Sequence, residues 1–196
     1  MKNVRPLAAA LAALALLAPA APSLAQQAMG QMMSKTANPM VGGHAMSSTK
    51  DIVSNAVTSD DNTILVAAVK AAGLVATLQS AGPFTVFAPT DEAFKLLPAG
   101  TVDTLVKPEN KATLTKILTY HVVPGRLDFN ALQAAVQAGN GKAELKTVQG
   151  ETLTVHMNGP RNIVLTDAKG ITAQISTYDV YQSNGVIHVI DKVLTP

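Results

Sequence analysis

Five groupings of side chains in this chain have the types and spacings that do chemistry. Asp91 and Glu92 are adjacent carboxylates, a pairing that suggests acid–base exchange. Tyr120 and His121 stand together in LTYHVVPGRL (residues 118–127), and His188 stands in GVIHVID. An imidazole has the side-chain pKa nearest neutrality, so His188 is a candidate base or ligand, while Tyr120 and His121 are candidates for binding. Toward the N-terminus, Met29, Met32, Met33, Met40 and Met46 accompany His44 within 18 residues, and thioether sulfur suits Cu(I). Tyr178, Asp179 and Tyr181 lie beside a turn, where exposed tyrosines serve as contact anchors.

The elements that must carry these residues decide what each can do. Asp91 and Glu92 follow Thr90, a helix N-cap type, and so fall in a first helical turn. Sequence neighbours on a helix point in different directions, and negative charge there complements the helix dipole by roughly 0.3–1 kcal/mol each. The expected role is helix initiation. In the strand around His188, Val186, His188 and Ile190 share one face, and Ile187, Val189 and Asp191 the other. Apolar residues on both faces make this an interior strand with a semi-buried imidazole. Since an unpaired buried polar group costs about 1–3 kcal/mol, His188 should have a partner inside. Tyr120 falls at a helix end and His121 at a strand entry, positions equally suited to packing.

Along the chain, residues 1–25 read as an export signal: Lys2 and Arg5, an apolar run over 7–17, and Ser23-Leu24-Ala25 at the cleavage site. A run of eleven residues is short of the ~20 that span a bilayer, so the chain is not expected to be membrane-spanning. Residues 26–47 read as a flexible Met-rich linker without apolar periodicity. Structure is expected from Ser48, with Ser48-x-x-Asp51 resembling a capping box and Asn62 capping a second helix that Gly73 ends. A strand over 84–88 follows, then helices to about Tyr120 and another over 129–138. After Gly139 the apolar period drops from about four to two, with Asn140-Gly141, Asn158-Gly159 and Asn184-Gly185 as hairpin-type turns. Helices first and strands later indicate a single α+β domain over residues 48–196.

The segments TVFAPTDEAF (residues 85–94) and SNGVIHVIDKVLTP (residues 183–196) resemble the two signature boxes of the fasciclin domain, and LTYHVVPGRL resembles its central Tyr-His segment. The resemblance implies a wedge of two β-sheets with helices packed along one side. It also implies an extracellular adhesion or protein-interaction module with no cofactor and no turnover. In animal matrix relatives the segment matching Tyr120-His121 is linked to integrin binding. A second integrin motif of those relatives, Asn-Lys-Asp-Ile-Leu, survives here only at Asp179, with Thr177, Tyr178, Val180 and Tyr181 at the other positions. Integrin recognition is therefore not carried over whole.

Composition removes several classes. With no cysteine there is no disulfide, thiol nucleophile or thiolate metal site. Without residues 1–25 the 15 basic residues fall to 13, equal to the 13 acidic ones, so no clustered charge recommends a nucleic acid partner. No tryptophan and only seven Phe and Tyr make a poor start for a sugar-binding groove. Neither a G-x-S-x-G elbow nor an H-E-x-x-H pair is present. The function expected is a secreted binding module, periplasmic or at the cell surface, acting on a surface or matrix protein or polysaccharide. A Cu(I)-handling segment built on Met29, Met32, Met33, Met40, His44 and Met46 is the alternative. Nothing in the sequence sets the oligomeric state.

Overall fold

The computed structural model describes residues 38–196. The signal reading, and Met29, Met32 and Met33, lie outside those residues. In order along the chain are β1 (Met40–Val41), β2 (His44–Ala45), α1 (Ile52–Ala56), α2 (Thr63–Ala72), α3 (Val75–Leu78), β3 (Phe84–Pro89), α4 (Asp91–Lys95) and α5 (Thr101–Leu105). A 3-10 turn, Pro108–Asn110, leads into α6 (Lys111–Tyr120), β4 (Val122–Pro124) and α7 (Phe129–Ala138). The rest is strand: β5 (Lys142–Lys146), β6 (Thr152–Met157), β7 (Ile163–Thr166), β8 (Thr172–Gln182) and β9 (Gly185–Ile190).

The α+β class is as expected, and the two sheets prove to share a strand. Seven strands run in the order β4-β3-β9-β8-β7-β6-β5. The N-terminal residues of β8 pair with β7, while Ile175 to Gln182 pair with β9 across register shifts between Ile175 and Val180. Those shifts turn the strand from one half of the sheet into the other, as bulges do by adding local twist. The two signature segments meet at the centre: β3 and β9 pair in parallel, with Phe87 opposite His188.

Alternation along β3 and β9 divides the interior into two cores. Val86, Ala88, Ile187 and Val189 face α1, α2, α4 and α6, including Ile52, Leu65, Val69, Phe94 and Leu118. Phe87 and Ile190 face the other way, against Leu153, Val155 and Leu165 of the β5–β7 half. Helix α7 belongs to this second core through Leu132 and Val136, so only the earlier helices keep to one side.

Local signals placed most helix ends, with two changes of partner. Asp51 caps α1, accepting from the N–H groups of Val53 and Ser54 at 3.0 and 2.9 Å, and Ser48 takes no part. Asn62 stands at the N-cap position of α2 without capping it; its amide donates to the Pro89 carbonyl at 3.0 Å. The cap comes from Asp91, whose carboxylate accepts from Ile64 N–H at 2.9 Å and from the Thr63 hydroxyl. Thus the first box starts two helices, because Thr90 accepts from Ala93 N–H at 3.2 Å and caps α4. Asp91→Ala should lower stability by about 1 kcal/mol, read as a fall in the urea midpoint. Glu92→Ala should cost no more than the roughly 0.3–1 kcal/mol of its helix-dipole interaction, since its partner Lys95 lies in open solvent.

Two other expectations change. Asn140-Gly141 joins α7 to β5, not strand to strand, with both residues at positive φ (55° and 95°). The stretch assigned to the linker does not run to Ser47. Met40–Val41 and His44–Ala45 pair as a small hairpin, and Val41 and Met46 are buried in the first core. The Asn38 side chain bonds Tyr181 on both sides, donating to its carbonyl at 2.7 Å and accepting from its N–H at 3.1 Å. That amide occupies the edge of β8 beyond the stretch that β7 pairs, where free backbone groups would otherwise stand open.

Candidate functional site

Tyr120 and His121 occupy the end of α6, where it enters β4, and both are buried. The Tyr120 hydroxyl donates to the Thr152 carbonyl at 3.0 Å, and burial raises its pKa. His121 uses both ring nitrogens. Nδ1–H donates to the Ile117 carbonyl at 2.8 Å, and Nε2 accepts from Leu194 N–H at 3.1 Å. The only tautomer consistent with both bonds is neutral, protonated at Nδ1. Desolvation pushes its pKa down to about 4, opposed by the Ile117 carbonyl and Asp167.

His188 is the mirror case. Its Nδ1 accepts from Asp179 N–H at 3.3 Å and its Nε2–H donates to the Leu127 carbonyl at 2.8 Å. Burial lowers this pKa too, against the pull of the Leu127 carbonyl, Asp179 and Asp128. The ring stacks on Phe87, with centroids 5.7 Å apart, as the parallel register requires. Each imidazole therefore ties two segments distant in sequence, one joining α6 to the C-terminal segment and the other joining β8 to the approach to α7.

The Tyr178, Asp179 and Tyr181 group sits on the irregular part of β8. Asp179 is in the left-handed region at φ 56°, which turns its carboxylate to accept from Phe129 N–H at 2.7 Å. Tyr178 is half-buried: its hydroxyl accepts from Ile163 N–H at 2.8 Å, and its ring meets Phe129 edge-on at 5.2 Å and His188 at 6.0 Å. The expectation of an exposed anchor fails at Tyr178, because the β8 bulge rotates it into the second core. Tyr181 is closer to that expectation. It is half-buried, with its hydroxyl 3.5 Å from a carboxylate oxygen of Asp128, the residue that caps α7. Burial raises the pKa of both tyrosines.

Several members of this cluster carried no signal in the sequence. Asp128, Phe129 and Arg126 become neighbours of Tyr178 and Tyr181 only when α7 docks on β8. Arg126 is exposed and donates to the carbonyls of Gln182 and Ser183 at 3.2 and 3.4 Å. Ala81, Gly82, Pro83, Ser183 and Asn184 form a shallow cleft with it. Buried Asp167 was missed as well; it accepts from the N–H groups of Lys169, Ile171 and Thr195 and so holds the C-terminal segment.

Of the proposed copper ligands, Met40, His44 and Met46 lie among the described residues. Met46 is buried at 7% exposure, Met40 is exposed, and His44 lies 3.3 Å from Asp60. Met46 spends its thioether on packing in the first core. Among the described residues no group of three or more His, Asp or Glu is placed to hold a metal, and every buried side-chain nitrogen or oxygen has a partner. None of the described helices is long and apolar enough to cross a membrane. The geometry thus makes a set of internal ties and a polar rim at Tyr181, Arg126 and Asp128.

Comparison with known proteins supplies what this geometry lacks. The profile of the Fasciclin domain matches residues 60–196. Protein sll1483 of Synechocystis sp. is 46% identical over 169 residues, 86% of each chain. Transforming growth factor-beta-induced protein ig-h3 of Sus scrofa is 39% identical over 133 residues, 68% of this chain and 17% of that protein. Immunogenic protein MPB70 of Mycobacterium bovis is 38% identical over 123 residues, 63% of this chain and 54% of that one. The solved FAS1 domain pair of the insect cell adhesion molecule fasciclin I overlaps 72% of this chain and 43% of that one, at 20% identity and a TM-score of 0.46. With both boxes paired at the sheet centre and the profile running across them to Pro196, the chain belongs to the fasciclin domain family.

Proposed function

We propose that this chain is an exported, non-catalytic interaction module that attaches to a surface or matrix protein or polysaccharide, in the periplasm or at the cell surface. The carrying observation is the use made of the two buried histidines, His121 and His188. Both ring nitrogens of each bond backbone groups, so these two imidazoles serve as ties between segments. Membership of the fasciclin domain family supports the reading.

Contact is made through the rim formed by Tyr181, Arg126 and the cleft beside Ser183 and Asn184. Tyrosine and arginine are the residue types that carry most binding energy at interfaces. Beads coated with the folded chain should attach to immobilised envelope or matrix material. Tyr181→Ala and Arg126→Ala together should reduce attachment about tenfold, from a loss of 1–2 kcal/mol, while the melting temperature falls by no more than about 5 °C. A folded double variant that attaches as well as the parent removes this rim from the proposal.

A further inference from the structure

The Asn-Gly pairs at 140–141, 158–159 and 184–185 all make turns, and the adhesive reading assigns no chemistry to any of them. Asn-Gly is also the pair in which a backbone nitrogen most readily attacks the preceding side chain. Glycine has no Cβ to shield that nitrogen, and every other asparagine among the described residues precedes a residue that has one. By dipeptide the three pairs are equivalent. The fold separates them.

Asn184 is locked. Its amide nitrogen donates to the Leu78 and Ser80 carbonyls at 2.7 and 3.1 Å, and its amide oxygen accepts from Ile52 N–H at 3.1 Å. Gly185 is buried in β9 opposite Gln182, where a Cβ would lie 2.1 Å from the Phe84 carbonyl oxygen. Attack there requires β9 to leave the sheet centre. Asn140 is exposed, but Gly141 N–H donates to the Val136 carbonyl at 2.9 Å and closes the end of α7. That bond must break before the nitrogen is free. Asn158 and Gly159 are exposed together at the tip of the β6–β7 hairpin, beyond the Met157–Ile163 pair. Asn158 N–H donates to the Asn162 carbonyl at 2.7 Å, which closes the loop without engaging the reacting atoms. Neither the Asn158 amide nor Gly159 N–H has a partner among the described residues. A Cβ on Gly159, at φ 95°, would meet nothing within 4 Å, so the approach is open.

We propose that Asn158 is a site of spontaneous modification, converting to aspartate and isoaspartate with water as the co-reactant. The Gly159 nitrogen bonds to Cγ of Asn158 as the Cγ–Nδ2 bond breaks. The proton of Gly159 N–H leaves with Nδ2 as ammonia, and a cyclic succinimide remains. Water then opens the ring at the side-chain carbonyl to give aspartate, or at the main-chain carbonyl to give isoaspartate. Nothing is oxidised or reduced. Either product replaces a neutral amide by a carboxylate on the exposed tip. The change lies beyond the Asn158 N–H bond, so the strand pairing up to Met157 is kept. The site is independent of the adhesive reading.

The test is to age the folded full chain at mildly alkaline pH and then map it with trypsin. Cleavage places the three pairs in separate peptides, residues 127–142, 147–161 and 170–192. Isoaspartate is read with an isoaspartyl methyltransferase and labelled S-adenosylmethionine, and total conversion by mass. Both signals are expected first in 147–161, about tenfold faster than in either other peptide. In guanidinium chloride the three rates should converge to within about twofold, because the fold alone separates them. Asn158→Gln, whose longer side chain closes a ring far more slowly, should remove the signal from 147–161 and leave the melting temperature unchanged. First conversion at Asn140 or Asn184, or equal rates at all three sites in the folded chain, overturns the proposal. So does a preference that survives denaturant, which would place the selectivity in the local sequence. The proposal also fails if 147–161 stays unmodified in the folded chain while the free peptide of the same residues converts.

Discussion

Urea titrations are expected to show this domain losing roughly 3 kcal/mol of stability through His121 alone between pH 6.5 and pH 4, with a further loss from His188. Both imidazoles are neutral when folded, since each ring accepts one backbone N–H and donates to one carbonyl. In the unfolded chain they take up a proton near the ordinary value of 6.5, while burial holds His121 neutral down to about 4. Across that window the unfolded state binds more protons, so stability is fully present above pH 6.5 and declines as pH falls. Below about 4 the His121 contribution to the slope ends. Protonation of Nε2 would also face the Leu194 N–H with a second donor, so acid should release the C-terminal segment first. His121→Gln is the control: less stable than the parent at pH 7, but with a shallower dependence on pH across the window. A parent whose urea midpoint is the same at pH 7 and pH 4.5 would contradict the assignment of both tautomers.

The second large effect is at Tyr178. Tyr178→Ala should cost about 3 kcal/mol, because it removes a ring that fills the space between Phe129 and His188 and deletes the acceptor for Ile163 N–H. Tyr178→Phe keeps the ring and should cost about 1–3 kcal/mol, the penalty of leaving that N–H without a partner. The two variants separate packing from hydrogen bonding, and thermal melts of both against the parent measure each part. Comparable stability of parent and Tyr178→Ala would mean that α7 does not depend on the β8 bulge for its seat. Because the effect is on the fold, attachment assays on Tyr178 variants report unfolding, and Tyr181 is the residue with which to test contact.

What the amino-acid order determined by itself is everything that acts within about four residues. Apolar periods marked α2, α6 and α7 as helices and β6 to β9 as strands, Gly73 and Gly139 marked the ends of α2 and α7, and Thr90 the start of α4. Alternation around His188 placed it on an interior strand, and a side chain with no solvent had to find partners. Those are local rules, and one stretch of sequence is enough to apply them.

Tertiary structure decided which partners. The second bond of His121 crosses 73 residues and that of His188 crosses 61, so no short-range pattern encodes the tautomer of either. Asp91 reads locally as a first-turn acid of its own helix, yet it caps α2 across 27 residues, because the end of β3 brings the two helix starts together. Tyr178 and Tyr181 sit three residues apart, but the bulge between Thr177 and Val180 breaks the regular alternation and turns Tyr178 inward. The apolar space beside Lys70 needs seven elements to exist at all, α1, α2, α3, β3, α6, β4 and β9. Shape of that kind depends on how the helices fill the first core, and volume left over from packing has no signature in the order of residues.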